Sequence, residues 1–97
     1  MAKLETAEIE KRLGAIPGWK YEDGAIKKLY RFKEFMAGIH FLMRVAAMAE
    51  AADHHPDVTI NFTRITFLCT THSDGGVTEK DFALAAQIEA AFAAQPG

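Results

Sequence analysis

Between Lys33 and about Ala52 the chain carries two apolar stripes rather than one. Phe35, Ile39, Leu42, Ala46 and Ala49 recur at helical spacing, and Phe41, Val45, Met48 and Ala52 form a second row beside them. A helix of this length spans about 30 Å. Being apolar on two sides, it has to be covered on two sides. In a chain of 97 residues the second cover is either the terminal helices or a partner subunit, and self-association is the expectation. Met36, Met43 and Met48 read as packing residues.

The segments on either side read as hairpins and short helices. Thr6 is placed to cap a helix over Ala7–Leu13, with Gly14 at its end and Pro17-Gly18 as a turn. Asp23-Gly24 separates Trp19 and Tyr21 from Ile26, Leu29, Tyr30 and Phe32, a two-residue hairpin signal. Beyond Pro56, the alternation of Val58, Ile60 and Phe62 and then of Ile65, Phe67, Cys69 and Thr71 predicts a second hairpin turning at Thr63-Arg64. Cys69 falls on the core side. Thr78 is placed to cap a last helix carrying Phe82, Ala85, Ile88 and Phe92, and Gln95-Pro96-Gly97 is expected to fray. The order α-β-β-α-β-β-α predicts an α+β fold: one four-stranded antiparallel sheet with the helices over one face, in a single domain spanning 1–97.

Charge narrows the partners. Eleven Lys and Arg face thirteen Asp and Glu, so a generally basic surface is excluded and no nucleic-acid partner is expected. The distribution is uneven: residues 1–33 hold eight cations against five acids, and residues 34–97 hold three against eight. One cysteine excludes an internal disulfide and a Cys-based zinc site. The absence of a continuous apolar run of about 18 residues leaves no expected membrane span, and the cytoplasm is the expected compartment.

Three of the four histidines gather around the second hairpin. His54-His55 precedes its first strand and His72 ends its second. With a turn at Thr63-Arg64, partner positions sum to about 127 and His55 falls opposite Thr71 or His72. Imidazoles that titrate near neutrality can take a proton from one atom and deliver one to another. Turn histidines satisfied by local hydrogen bonds are the competing reading. A zinc site of histidines with Asp53 or Asp81 has suitable ligand types, but the spacing matches no compact motif and HExxH is absent. His40 reads as helix surface.

Ala49-Glu50, Asp53-His54-His55-Pro56-Asp57, Thr70-Thr71-His72 and Gly75-Gly76-Val77-Thr78-Glu79-Lys80-Asp81, with Pro17-Gly18-Trp19 and Phe32-Lys33-Glu34-Phe35 upstream, resemble the pterin-4a-carbinolamine dehydratase family. The resemblance implies a four-stranded sheet with three helices on one side, assembled as a homodimer or homotetramer. The activity it implies is dehydration of 4a-hydroxytetrahydrobiopterin to quinonoid dihydropterin, downstream of an aromatic amino acid hydroxylase, without metal or organic cofactor. It implies that His54 and His72 exchange protons with the pterin N5 and 4a-hydroxyl, that His55 holds the pterin, and that Asp81 supports the cluster. Thr71, Asp53, Trp19 and, more weakly, Glu50 would border the pterin. A non-catalytic dimerisation module of the same fold is the alternative it leaves open. Thr63 where relatives more often carry Asn leaves the turn type of the second hairpin open.

Overall fold

Asp23 and Gly24 both take left-handed backbone angles, with φ of 52° and 77°, the pairing that a two-residue hairpin matched to strand twist requires. The turn joins β1 (Lys20–Glu22) to β2 (Ala25–Arg31), with Glu22 opposite Ala25. The computed structural model describes residues 2–95, so the fraying expected at Pro96 and Gly97 lies outside the described residues. The remaining elements are α1 (Thr6–Leu13), α2 (Phe35–Ala52), β3 (Asp57–Asn61), β4 (Arg64–Cys69), a 3-10 turn at His72–Asp74, and α3 (Glu79–Ala94). The strands form one antiparallel sheet in the order β1-β2-β4-β3, and the three helices cover one face, as the sequence predicts.

Ile26, Tyr30, Ile65, Phe67 and Cys69 face the helices and are buried together with Phe41 and Val45 of α2 and Leu84, Ala85 and Ile88 of α3. Tyr30 sits at the centre, its ring 5.7 Å from that of Phe41, 5.8 Å from Phe67 and 4.8 Å from Phe92. Gly38 lets α2 approach the sheet, because a Cβ there would lie 3.1 Å from Ile65 Cδ1 and 3.2 Å from a Phe32 ring carbon. Burial raises the Cys69 thiol pKa, and the nearby Asp81 carboxylate adds to the rise. An uncharged, enclosed thiol is a poor nucleophile.

By length and composition α2, with 18 residues and a mean hydropathy of 1.3, is apolar enough to cross a membrane. Gly38, Phe41, Val45 and Ala49 bury one of its sides within the protein. The other stays open, with Phe35, Met36 and Met43 exposed, Met43 at 66%. The terminal helices therefore supply only part of the cover that the double stripe demands.

Three sequence expectations are corrected. Helix α1 begins at Thr6 itself, behind Glu5, with no side-chain cap. Helix α2 begins at Phe35 rather than Lys33. The second hairpin turns at Phe62-Thr63, not Thr63-Arg64: Asn61 pairs with Arg64, partner numbers sum to 125, and the register carried outward sets His55 level with Thr70. Phe62 is consequently a turn residue with φ of 52° and no core position, and all five residues of the edge strand β3 are exposed.

Candidate active site

Two helix ends meet at the site. At the end of α2, Asp53 takes φ 51° and ψ 43°, and the chain reverses as its N–H bonds back to the last turn while the His54 N–H reaches Ala49 O at 3.1 Å. At the start of α3, Thr78 and Asp81 form a capping box: the Thr78 hydroxyl accepts from the first turn and Asp81 Oδ2 accepts from the Thr78 N–H at 2.9 Å. The sequence placed that cap correctly. The helix N-terminus also favours a carboxylate at this position.

Asp81 is fully buried, and both of its oxygens are hydrogen-bonded. Oδ2 accepts from Thr71 Oγ1 at 2.8 Å, and Oδ1 lies 2.6 Å from His54 Nε2. Thr71 Oγ1 is also 2.8 Å from Thr78 Oγ1. An ionised carboxylate only accepts, so the imidazole donates from Nε2 and its Nδ1 is left to receive a proton. A buried charge is tolerated when both oxygens are hydrogen-bonded in this way.

Thr71 fixes the neighbouring His72. Its N–H and C=O pair with Gly76, its carbonyl accepts from Asp74 N–H, and the His72 carbonyl accepts from Gly75 N–H. Gly75 has φ of 76°, a left-handed angle that suits glycine. His72 itself is exposed at the head of this turn. His54, Asp81, Thr71 and the backbone of His72 are thus one connected chain.

The expectation of a cavity shared by three imidazoles is not met: His54 and His55 line different cavities, and His72 lines neither of these two. His55 Nε2 lies 2.5 Å from Glu50 Oε1 in an exposed pair, whereas His54 is turned to the buried Asp81. His54 lines a cavity of about 300 Å³ with Ala52, Lys80, Leu84 and Gln87. His55 instead lines one of about 180 Å³ with Leu42, Ala49, Glu50 and Val58. Trp19, expected to border the pterin, lines neither of these cavities. It is buried, edge-on to Tyr30, and its indole N–H donates to Glu89 at 3.2 Å. Asp53 is exposed next to His54, and Glu50 contributes through His55.

Sequence reasoning missed Gln87 and Leu84 as cavity walls and Thr78 as a link to Thr71. The spacing of 80, 84 and 87, one face of a helix that starts beside Asp81, was the available signal. Among the described residues no group of three or more His, Cys, Asp or Glu side chains is arranged to hold a metal.

Residues 2–91 match the family model described as pterin 4 alpha carbinolamine dehydratase. A protein of Sulfolobus acidocaldarius provisionally named pterin-4-alpha-carbinolamine dehydratase is 45% identical over 86 residues, covering 89% of this chain and 94% of that one. One of Thermomicrobium roseum with the same provisional name is 47% identical over 88 residues, covering 91% and 95%. The crystal structure of a transcriptional coactivator/pterin dehydratase from Brucella melitensis superposes with a TM-score of 0.88 at 34% identity, over 92% of this chain and 97% of that one. A pterin dehydratase-like protein described as a RuBisCO assembly factor in the alpha-carboxysome shares the fold, with a TM-score of 0.61 at 22% identity, over 75% and 84%.

Proposed function

We propose, for a chain that belongs to the pterin 4 alpha carbinolamine dehydratase family, that it dehydrates 4a-hydroxytetrahydrobiopterin to quinonoid dihydropterin by histidine acid-base catalysis. The observation that carries this reading is the contact of His54 Nε2 with the buried Asp81 carboxylate, at 2.6 Å, in a network that continues through Thr71 to the turn holding His72.

The reaction breaks the N5–H bond and the C4a–O bond, forms C4a=N5, and releases water. One group has to receive the N5 proton while another protonates the departing hydroxyl. His54, with Asp81 holding Nε2–H, offers Nδ1 for the first role, and the exposed His72 serves the second. The two exchange roles when the hydroxyl lies on the opposite face of the ring. Groups that titrate near neutrality suit both halves, and binding the planar pterin between them makes the transfers internal. Asp53, exposed beside His54, is placed to border the ring, His55 and Glu50 stand at its outer rim on a neighbouring cavity, and the buried Thr71 acts through its bond to Asp81. No metal or organic cofactor enters this scheme.

Self-association belongs to the same proposal. Phe35, Met36 and Met43 leave one side of α2 uncovered, and a second copy packed there would form a homodimer or one half of a tetramer. These residues also favour a second reading, a non-catalytic association module of the same fold. Purified protein mixed with 4a-hydroxytetrahydropterin separates the two: the dehydratase accelerates loss of the substrate's absorbance, and His54→Ala with His72→Ala abolishes that rate while leaving assembly intact. No rate above buffer for either stereoisomer overturns the catalytic reading.

A further inference from the structure

The sheet is incomplete at one corner. Strand β2 runs from Ala25 to Arg31, whereas β1 pairs only with Ala25, Ile26 and Lys27. From Lys28 onward the outer edge of β2 has no strand beside it. The direction of its backbone groups follows from the turns. A two-residue hairpin closes on a hydrogen-bonded pair, here Glu22 and Ala25, so the odd-numbered residues of β2 aim N–H and C=O at the β1 side. On the other side the Phe32 N–H donates to Thr63 O at 2.9 Å, which puts the even-numbered residues toward β4. Leu29 and Arg31 therefore present two N–H and two C=O groups to an edge that no strand of the chain occupies.

The same corner is a cationic concavity. A cavity of about 420 Å³ runs along it, lined by Lys20, Lys27, Lys28, Leu29, Arg31 and Thr66 together with Gly18. Cross-strand partners share a face, and two of these pairs oppose like charges: Lys20 against Lys27, and Arg31 against Arg64. Such pairs destabilise a sheet. Glu22 answers Lys27, and Lys28 is engaged by Glu89 and the Pro17 carbonyl. Arg31 and Arg64 have no acidic partner among the described residues. The floor is apolar at Leu29, which is 42% exposed.

We infer that this notch receives an extended acidic segment of a partner protein, laid antiparallel or parallel against Leu29 and Arg31 as a continuation of β1. The free edge supplies main-chain pairing, as in strand addition generally. The cations supply charge complementarity, with Arg31 and Arg64 suited to carboxylates. The segment carries carboxylates on its outward-facing alternate residues, one opposite Arg31 and its neighbours within reach of Lys20 and Lys27. A nucleic acid satisfies the charge but not the edge, and no aromatic ring lines the notch to stack a base.

The test uses the full chain and a labelled peptide alternating glutamate and valine, with the lysine-for-glutamate peptide and a single-stranded oligothymidylate as comparisons. Fluorescence anisotropy should show salt-sensitive binding of the acidic peptide alone. Amide exchange at Leu29 and Arg31 should slow on binding. Arg31→Glu should weaken binding by about tenfold or more, and it should fold normally because it places a carboxylate opposite Arg64. Should that variant fail to fold, Lys20→Glu gives the same reading. No acidic-peptide binding overturns the inference. So does oligothymidylate binding of equal strength, or binding without protection of the two amides, since either marks a general polyanion patch.

Discussion

Asp81 Oδ1 lies 2.6 Å from His54 Nε2 across the junction of two helix ends, and the same carboxylate caps α3 through Oδ2. Under the proposed mechanism one side chain has a structural duty and a chemical one, and two substitutions pull them apart. In Asp81→Asn the amide oxygen can keep the bonds to Thr71 and the Thr78 N–H, while its NH2 faces His54. An NH2 donates, so the imidazole has to offer a bare Nε2 and carry its proton on Nδ1, the nitrogen needed for proton transfer. The expected result is a fall in kcat of about 10²–10⁴-fold with a small change in melting temperature. Asp81→Ala additionally strands the buried Thr71 hydroxyl and Thr78 N–H and the part-buried His54 ring, and should cost about 2–4 kcal/mol of stability. Steady-state rates and thermal melts on both variants check this; full activity in Asp81→Asn removes the tautomer argument.

His55 should behave differently from its neighbour. Its side chain is 56% exposed, and an exposed pair of this kind contributes about 0–1 kcal/mol. Glu50→Ala is expected to leave urea stability nearly unchanged. His55→Ala should raise KM for the pterin more than it lowers kcat, whereas His54→Ala should lower kcat by about 10²–10⁴-fold. Equal kcat losses for the two would contradict the separation of their environments.

Glu89 gives a pH dependence with a defined sign. Burial raises its pKa, but hydrogen bonds from Lys28 and Tyr30 outweigh that and hold it below the ordinary carboxylate value, with Trp19 assisting. A group whose pKa is lowered by folding stabilises the fold fully above its unfolded value, about 4.3 for Glu, and loses that contribution as pH falls through the lower folded value. Melting temperature should drop with acid over that window, and Glu89→Gln should flatten the drop. At neutral pH Glu89→Ala should cost about 2 kcal/mol, because charged hydrogen bonds between α3 and β2 are lost. An acid profile identical in Glu89→Gln would show that other carboxylates carry the effect.

The open side of α2 predicts an assembly phenotype. Met43→Glu puts a charge on the residue exposed at 66%, so a monomer should tolerate it within about 0.5 kcal/mol. Sedimentation should show a shift from dimer or tetramer toward monomer. An unchanged sedimentation coefficient would place the interface elsewhere.

What the sequence disclosed and what it hid have physical causes. Asp23-Gly24 fixed its hairpin because a type I′ turn demands two left-handed residues and that dipeptide accommodates them. Thr78 and Asp81 announced a helix start for the same local reason. The second hairpin lacked such a signal. A turn at Phe62-Thr63 pairs Val58 with Phe67 and Ile60 with Ile65, while one at Thr63-Arg64 would pair Ile60 with Phe67 and Phe62 with Ile65. Both put apolar against apolar, so alternation cannot separate them. At the site, the Asp81 contact came from family resemblance, and no spacing argument reaches 27 residues from His54.

That register ambiguity leaves its trace in Phe62. A bulky residue at positive φ is unfavourable by about 1–2 kcal/mol relative to one free of Cβ crowding, and Phe62 recovers little in return because it is 74% exposed. Of the two turn residues, Phe62 alone has positive φ, a position at which glycine is preferred. Phe62→Gly should therefore stabilise the monomeric fold, by about 0.5–1 kcal/mol after the greater unfolded-state entropy of glycine is deducted. Phe62→Val should destabilise it, since a β-branched residue fits the left-handed region worse. Urea unfolding at concentrations too low for self-association measures both. A glycine variant less stable than the parent would mean that the exposed ring makes contacts worth more than the strain it imposes.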